Sequence, residues 1–121
     1  MINPTQAYMK NQVNTASPEQ LVLLLYNGAL RFIRQARMGM EKKQIEQSHR
    51  AIIKAQDILQ ELMGNLDFSQ GEIAQSLYAL YDYIYRCLLE ANIKKSTSPL
   101  DAAEKMLTEL RDTWAEACRL S

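Results

Sequence analysis

Residues 72–95 constrain the fold most, because their apolar side chains form two adjacent stripes on one predicted helix. Both stripes follow the three- and four-residue spacing that keeps side chains on one helix face. The first comprises Ile73, Leu77, Leu80, Ile84, Cys87 and Ala91. The second comprises Ala74, Tyr78, Tyr81, Tyr85, Leu88 and Asn92. A helix at the edge of a small bundle needs an apolar arc of only about 100°. The second stripe exceeds what folding requires, and we expect it to bind something.

The three tyrosines of the second stripe set the size of this expected surface. One tyrosine buries about 150–250 Å², so three in a row present roughly 500 Å², which matches the largest apolar patch of a typical monomer. The chain's own N-terminal segment, a fourth helix, a second copy or a foreign peptide are all candidates to cover it. Alternatively, Tyr78, Tyr81 and Tyr85 are ordinary core aromatics. Periodicity does not choose between these alternatives.

Composition places the chain among ordinary globular proteins of one domain. It has 121 residues, of which 47% are hydrophobic and 23% charged. Its formal net charge is zero, which argues against nucleic acid as a partner. The N-terminal residues lack the pattern of a secretory signal, and the longest apolar run, residues 21–26, is too short to cross a bilayer. We therefore expect a cytoplasmic protein without membrane insertion.

The helix signals predict an all-α fold. Ser17-Pro18-Glu19-Gln20 combines a capping serine, a proline at the first helical position and a glutamine that completes a capping box. The apolar periodicity predicts helices over approximately 18–40, 44–66, 70–95 and 99–119. Helices of this length with short connections favour an antiparallel up-and-down four-helix bundle over residues 17–121. Residues 1–16 carry only isolated apolar anchors at Ile2, Tyr8 and Val13, and we expect them to form a flexible N-terminal arm.

The sequence offers little for catalysis. Glu46 and His49 have the Glu-x-x-His spacing of di-iron bundles, but such a site needs two copies of the motif and His49 is the only histidine in the chain. We find neither a glycine-rich phosphate loop nor a nucleophile with a suitable base. We predict no catalytic residue, no metal and no cofactor. The protein is not an enzyme by this interpretation, and acts by binding.

Several short motifs, taken in order, resemble one family. They are Tyr8-x4-Val13-x-Thr15-Ala16-Ser17-Pro18-x-x-Leu21, then Leu25-Tyr26-Asn27-Gly28-Ala29, then Leu80-Tyr81-Asp82-Tyr83, then Leu88-x-x-Ala91-Asn92-Ile93-Lys94, and last Arg111-Asp112-Thr113-Trp114. Together they resemble the flagellin-specific export chaperones of bacteria, the FliS family. The resemblance spans nearly the whole chain.

This resemblance implies a function and a partner. Members of the family hold the C-terminal helical segment of flagellin, prevent its premature polymerisation and help to present it to the type III export gate of the flagellum. In the family the N-terminal arm covers part of the client site. Tyr8 matches the arm's tyrosine, so we expect Tyr8 and Val13 to cap the site until the client displaces them.

We place the client contacts on outer apolar positions of the second helix and on the tyrosine side of the third. The predicted contacts are Ile53, Leu59, Tyr78, Tyr81, Tyr85, Leu88, Asn92 and Ile93. Asn92 is predicted to pair with an extended stretch of client backbone, or alternatively to cap a helix end. Self-association is the competing interpretation, with a symmetric homodimer in the absence of client.

Overall fold

The computed structural model describes residues 16–120, and these contain four α-helices. They are α1 (Pro18–Glu41), α2 (Ile45–Gly64), α3 (Glu72–Lys94) and α4 (Ser98–Leu120). Each helix packs against its neighbours in the chain, and α4 also packs against α1, so the helices close into an antiparallel ring. The predicted four-helix bundle is confirmed. The predicted arm lies, apart from Ala16, outside the described residues.

Local signals fix the helix ends. The predicted capping box of α1 is present, since the Ser17 hydroxyl accepts from the Gln20 amide at 3.2 Å and the Gln20 side chain accepts from the Ser17 amide at 3.1 Å. Between α2 and α3, Asp67 caps one turn of 3₁₀ helix, Phe68–Gln70, and Gly71 turns the chain with a φ of 68°. Glycine adopts that left-handed conformation without a steric penalty. This turn makes α2 end, and α3 begin, two residues inside the predicted limits.

The core face of α3 lies between the two predicted stripes and takes side chains from both. Its buried residues are Ala74, Tyr81, Ile84, Cys87, Leu88 and Ala91. Ile73, predicted to face the core, is 70% exposed, whereas Tyr81 and Leu88 of the second stripe are 3% and 0% exposed. Positions 74, 81 and 88 are separated by seven residues, as are 77, 84 and 91, which is the pattern of a bundle seam. The true face is therefore rotated relative to the predicted one.

At the end of the bundle opposite the α2–α3 connection, ion pairs join α1 to α4. Arg37 on α1 contacts both Asp101 and Glu104 on α4 at 2.9 Å, and Arg34 contacts Glu104 at 3.1 Å. Partial burial by itself raises the pKa of Glu104, but the hydrogen bonds from Arg37 and Arg34 outweigh this effect, so its pKa lies below the usual value. Arg37 thus joins the C-terminal part of α1 to the first turns of α4.

Gly39 lets α1 and α2 approach closely at the same end. A Cβ atom at Gly39 would lie 3.0 Å from the backbone nitrogen of Ser48 and 3.2 Å from the carbonyl oxygen of Gln44. These are backbone atoms, which move only if the helix moves. A Cβ atom at Gly64, at the end of α2, would meet no heavy atom of the described residues within 4 Å.

The two glycines give a matched prediction. We expect Gly39→Ala to lower the free energy of unfolding by about 1 kcal/mol, because overpacking outweighs the gain in helix propensity. Gly64→Ala is the control and is expected to raise it by a few tenths to about 1 kcal/mol. Urea unfolding followed by circular dichroism measures both. A Gly39→Ala protein as stable as Gly64→Ala would contradict the close approach.

Candidate binding groove

An apolar cavity opens at the end of the bundle where α1 and α3 begin and α2 and α4 end. Its volume is about 500 Å³, within the range of small-molecule and peptide pockets. We call it the bundle-end groove. Its lining residues are Val22, Leu25, Tyr26, Leu62, Asn65, Leu66, Asp67, Leu77, Leu80, Tyr81, Met106, Glu109, Leu110, Thr113 and Trp114.

The groove forms because the apolar pattern of the helices continues beyond the last closed layer of the core. The fully buried residues of α1 begin at Tyr26, and those of α4 end at Leu107. Beyond these points the apolar positions remain only partly buried, as at Val22, Leu110 and Trp114. Within residues 16–120, these side chains border the cavity rather than a further packing partner. The end of the bundle thus keeps an apolar surface that its own described residues do not cover.

Two tyrosines form the floor of the groove. The hydroxyl oxygens of Tyr26 on α1 and Tyr81 on α3 lie 2.7 Å apart, and their ring centroids are 6.4 Å apart. Both residues are buried, at 2% and 3% exposure. Burial raises the pKa of Tyr26, although the hydrogen bond to Tyr81 partly offsets it. Burial, followed by the hydrogen bond to Tyr26, raises the pKa of Tyr81. Both phenols are therefore neutral under ordinary conditions.

Trp114 and two carboxylates shape the mouth. The indole nitrogen of Trp114 donates to the backbone carbonyl of Glu19 at 2.9 Å, which ties the last turns of α4 to the first turn of α1. Glu109 and Asp67 bring carboxylates to the lining. Asp67 accepts hydrogen bonds from the hydroxyl and the amide of Ser69, which lower its pKa. The groove is thus an apolar site with a small number of polar groups at its edge.

The structure corrects part of the predicted contact set. Leu59, Tyr81 and Leu88 are predicted to lie on an outer surface, but they are 0%, 3% and 0% exposed. Leu59 lies on the seven-residue repeat of α2 that also buries Ile52, and Tyr81 and Leu88 lie on the repeat of α3. Of the three, Tyr81 alone lines the bundle-end groove. Leu59 and Leu88 are core residues.

The other predicted contacts are accessible to different degrees. Ile53, Tyr78 and Ile93 are 40%, 44% and 72% exposed, while Tyr85 and Asn92 are partly buried. The Tyr78 ring lies 6.0 Å from the ring of Phe68, on the connection to α2. The predicted line of three exposed tyrosines is therefore broken at Tyr81.

Asn92 has partners within the bundle. Its amide nitrogen lies 2.9 Å from Nδ1 of His49 on α2, and its amide oxygen accepts from the Lys95 ammonium. The helix cap predicted as an alternative role belongs instead to Lys95, which ends α3 with a φ of 49°. To pair with a client backbone, Asn92 must exchange these bonds. Within residues 16–120, no group of three potential metal ligands comes together around His49 or elsewhere.

Sequence reasoning missed the α1 and α4 walls of the groove. Leu25, Leu110 and Trp114 fit the core periodicity, which predicts an ordinary interior for them, and Val22 lies outside the predicted core positions of α1. One signal was present: residues 21–25 are five consecutive apolar residues, and a helix cannot turn all five toward one core. This excess marks the start of α1 as a second apolar surface.

Comparison with known proteins identifies the family. The family model described as flagellar protein FliS matches residues 1–121. The flagellar secretion chaperone FliS of Bacillus subtilis (strain 168) is 46% identical over 115 residues, which cover 95% of this chain and 86% of that protein. FliSB of Pseudomonas aeruginosa, also a flagellar secretion chaperone, is 38% identical over 110 residues, covering 90% and 87%. This chain belongs to the FliS family.

The fold of this FliS-family chain also agrees with a solved structure. The crystal structure of a flagellar chaperone from bacteria superposes with a TM-score of 0.81 over 97% of this chain and 96% of the other, at 21% identity. The resemblance inferred from the sequence motifs is thereby confirmed, and the protein is a flagellar secretion chaperone. Its relatives are named as chaperones rather than enzymes. Among residues 16–120, no helix is both long and apolar enough to span a membrane.

The hydrogen bond from Trp114 to the Glu19 carbonyl, at the mouth of the groove, gives a prediction for this FliS-family protein. Trp114→Phe keeps an aromatic ring but removes the donor to Glu19, and we expect the free energy of unfolding to fall by about 1 kcal/mol. Tyr83→Phe is the control, because Tyr83 is 50% exposed and does not line the groove. Thermal unfolding measures both variants. Equal stability of Trp114→Phe and the wild type would show that this hydrogen bond does not contribute to the free energy of unfolding.

Proposed function

We propose that this chaperone binds the C-terminal helical segment of flagellin in the cytoplasm, prevents its premature polymerisation and aids its delivery to the flagellar type III export gate. The observation that carries the proposal is the bundle-end groove, an apolar cavity of about 500 Å³ in a member of a secretion-chaperone family. An apolar groove is a common docking site for an amphipathic helix, which lays its apolar face into it.

The physical properties of such a client fit the groove. A disordered segment that folds on binding buries about 1,000–3,000 Å² and loses about 2–5 kcal/mol to ordering. The groove supplies apolar walls from all four helices and accounts for part of this area, so the client must also contact surface outside the groove. While the apolar face of the segment is held there, it is not available for contacts between flagellin subunits. Binding and prevention of polymerisation are then one event.

The α2–α3 side of the bundle provides a second contact surface in this proposal. Ile53 on α2 and Tyr78 on α3 are exposed, and Tyr85 on α3 is partly exposed. Tyr78 contacts Phe68, which leads from α2 toward the groove end. A client segment that leaves the groove can continue along this surface. Asn92 and Ile93 then lie toward its far end, where Asn92 must release His49 to contact the client.

The N-terminal arm is proposed to compete with the client. The first described residues lead directly into Ser17, and the first turn of α1 carries the Glu19 carbonyl that Trp114 contacts at the groove mouth. A chain of fifteen residues reaches at most about 50 Å, so Tyr8 and Val13 lie well within range of the groove. We propose that these two side chains occupy it in the free protein, and that flagellin displaces them.

The groove is tested by a matched pair of substitutions. Leu80 lines the groove without being part of the closed core, and Met38 is 46% exposed on the opposite half of the molecule. We expect Leu80→Gln to weaken the binding of a synthetic flagellin C-terminal peptide about 10-fold or more, and Met38→Gln to leave it unchanged. Calorimetry measures the affinity. The fluorescence of Trp114, the only tryptophan, reports filling of the groove independently.

Two outcomes would count against the proposal. In one, the wild-type protein does not bind the flagellin peptide. In the other, Leu80→Gln binds it as tightly as Met38→Gln, which would place the client elsewhere. Light scattering of the same samples separates the competing interpretation of self-association, since a homodimer that persists with saturating peptide would favour it over a one-to-one complex.

Removal of the arm is the second test. Deletion of residues 1–16 is expected to tighten binding of the flagellin peptide about 3- to 10-fold, because an internal competitor lowers the fraction of protein that is competent to bind. The double substitution Tyr8→Ser/Val13→Ser is the matched change in the full-length chain, and its effect is expected to have the same sign. Unchanged or weaker binding by both proteins would rule out competition.

A further inference from the structure

The hydroxyl pair at the groove floor has one proton more than its own hydrogen bond uses. Tyr26 and Tyr81 are both neutral, so the pair carries two hydroxyl protons. One of these lies between the two oxygen atoms, which are 2.7 Å apart. A phenol is both a donor and an acceptor, and the accepting member of the pair still has its own proton to donate.

That second proton has no acceptor among the described residues. The contact between the two phenols is the only hydrogen bond that either hydroxyl makes within residues 16–120. The walls around it are mainly aliphatic, with Leu62, Leu77 and Met106 among them. A buried donor in such surroundings gains strongly when an acceptor is supplied, since leaving it unpaired is costly.

We propose that the Tyr26–Tyr81 pair is a specificity-determining donor, which selects groove occupants that place one hydrogen-bond acceptor at the floor. This inference rests on the proposed function, in which the occupant is the flagellin segment. It goes beyond that function because it states what the segment must carry, in addition to an apolar face.

Only some oxygen atoms of a helix bound in the groove are free to accept this proton. Backbone carbonyls inside a helix already accept from amides of the same helix, whereas the last four carbonyls have no such partner. Side chains of asparagine, glutamine, serine and threonine also present oxygen atoms. The preferred occupant is therefore an amphipathic helix with one polar oxygen within its apolar stripe, or one whose C-terminal turn enters the groove. A purely aliphatic face is a poorer ligand.

A structural role alone makes a different prediction. If the pair served only to join α1 to α3 across the core, its removal would change stability and leave the choice of ligand unchanged. Replacing both hydroxyls is also the mildest structural change available, because removing both partners of a hydrogen bond leaves neither unsatisfied. The variant Tyr26→Phe/Tyr81→Phe therefore separates the two roles.

The decisive experiment uses two small probes that differ by one acceptor. Acetophenone has a carbonyl oxygen, and ethylbenzene is its counterpart without one. Their affinities for the full-length protein are measured by NMR titration, with the shifts of groove residues such as Leu80 and Trp114 as the readout. We expect the ratio of acetophenone to ethylbenzene affinity to fall about five-fold in the double variant relative to the wild type. The control Tyr83→Phe is expected to keep the wild-type ratio.

The single variants provide the second measurement. Tyr26→Phe and Tyr81→Phe each retain one hydroxyl whose proton is then free, so at least one of them is expected to keep the ratio within about two-fold of the wild type. Circular dichroism establishes that each variant is folded. An unchanged ratio in the double variant, or an equal loss in both single variants and the double variant, would overturn the proposal.

The flagellin peptide separates this inference from the proposed function. If the peptide binds the wild type and the double variant equally while the probe ratio is also unchanged, the groove takes flagellin without using the donor and the inference fails alone. If the peptide does not bind but the probe ratio falls as expected, the donor is real and the proposed client is wrong. A loss of about 5- to 10-fold in peptide affinity in the double variant supports both.

Discussion

The structure depends on a mismatch between the length of the apolar pattern and the length of the closed core. Each of the four helices carries apolar residues on a seven-residue repeat. Together they bury a continuous core, which extends from Leu100 at one end of the bundle to Leu62 at the groove end. The repeat continues past this core on α1 and α4, where Val22 and Trp114 have only partial cover. Water does not solvate such residues well, and no further element within residues 16–120 buries them. The groove is the result.

The two ends of the bundle differ in how closely their helices are packed and joined. At one end Gly39 allows close packing, Arg37 joins α1 to α4 and His49 meets Asn92 between α2 and α3. The other end has the groove, where the helices are joined by the indole hydrogen bond of Trp114, the phenol pair and a hydrogen bond from Arg111 to Asn27. The contacts at the first end hold the helices together without any contribution from the groove residues. A stable bundle and an accessible apolar surface are compatible because they occupy different halves of the molecule.

The sequence predicted the architecture well because its signals are local. The capping box at Ser17, the glycine at position 71 and the apolar periodicity each act within a few residues, and they determine where helices begin and end. The exact core face of α3 was not determined by such signals. Two adjacent apolar stripes are equally compatible with burial, and only the packing of α3 against α2 and α4 places the face between them. For this reason Ile73, predicted to face the core, is exposed, and Leu88, predicted to lie on the outer surface, is buried.

The candidate site was less predictable, because a groove is a property of several helices at once. Tyr81 belongs to the unusual surface that the sequence predicts, but its role depends on Tyr26, fifty-five positions earlier in the chain. Neither residue alone indicates a shared hydrogen bond. The phenol pair also explains why two tyrosines rather than two phenylalanines lie at this depth. Phenylalanine would pack the floor equally well and leave it purely apolar, whereas the tyrosine pair satisfies itself with one hydrogen bond and retains a second proton for whatever enters the groove.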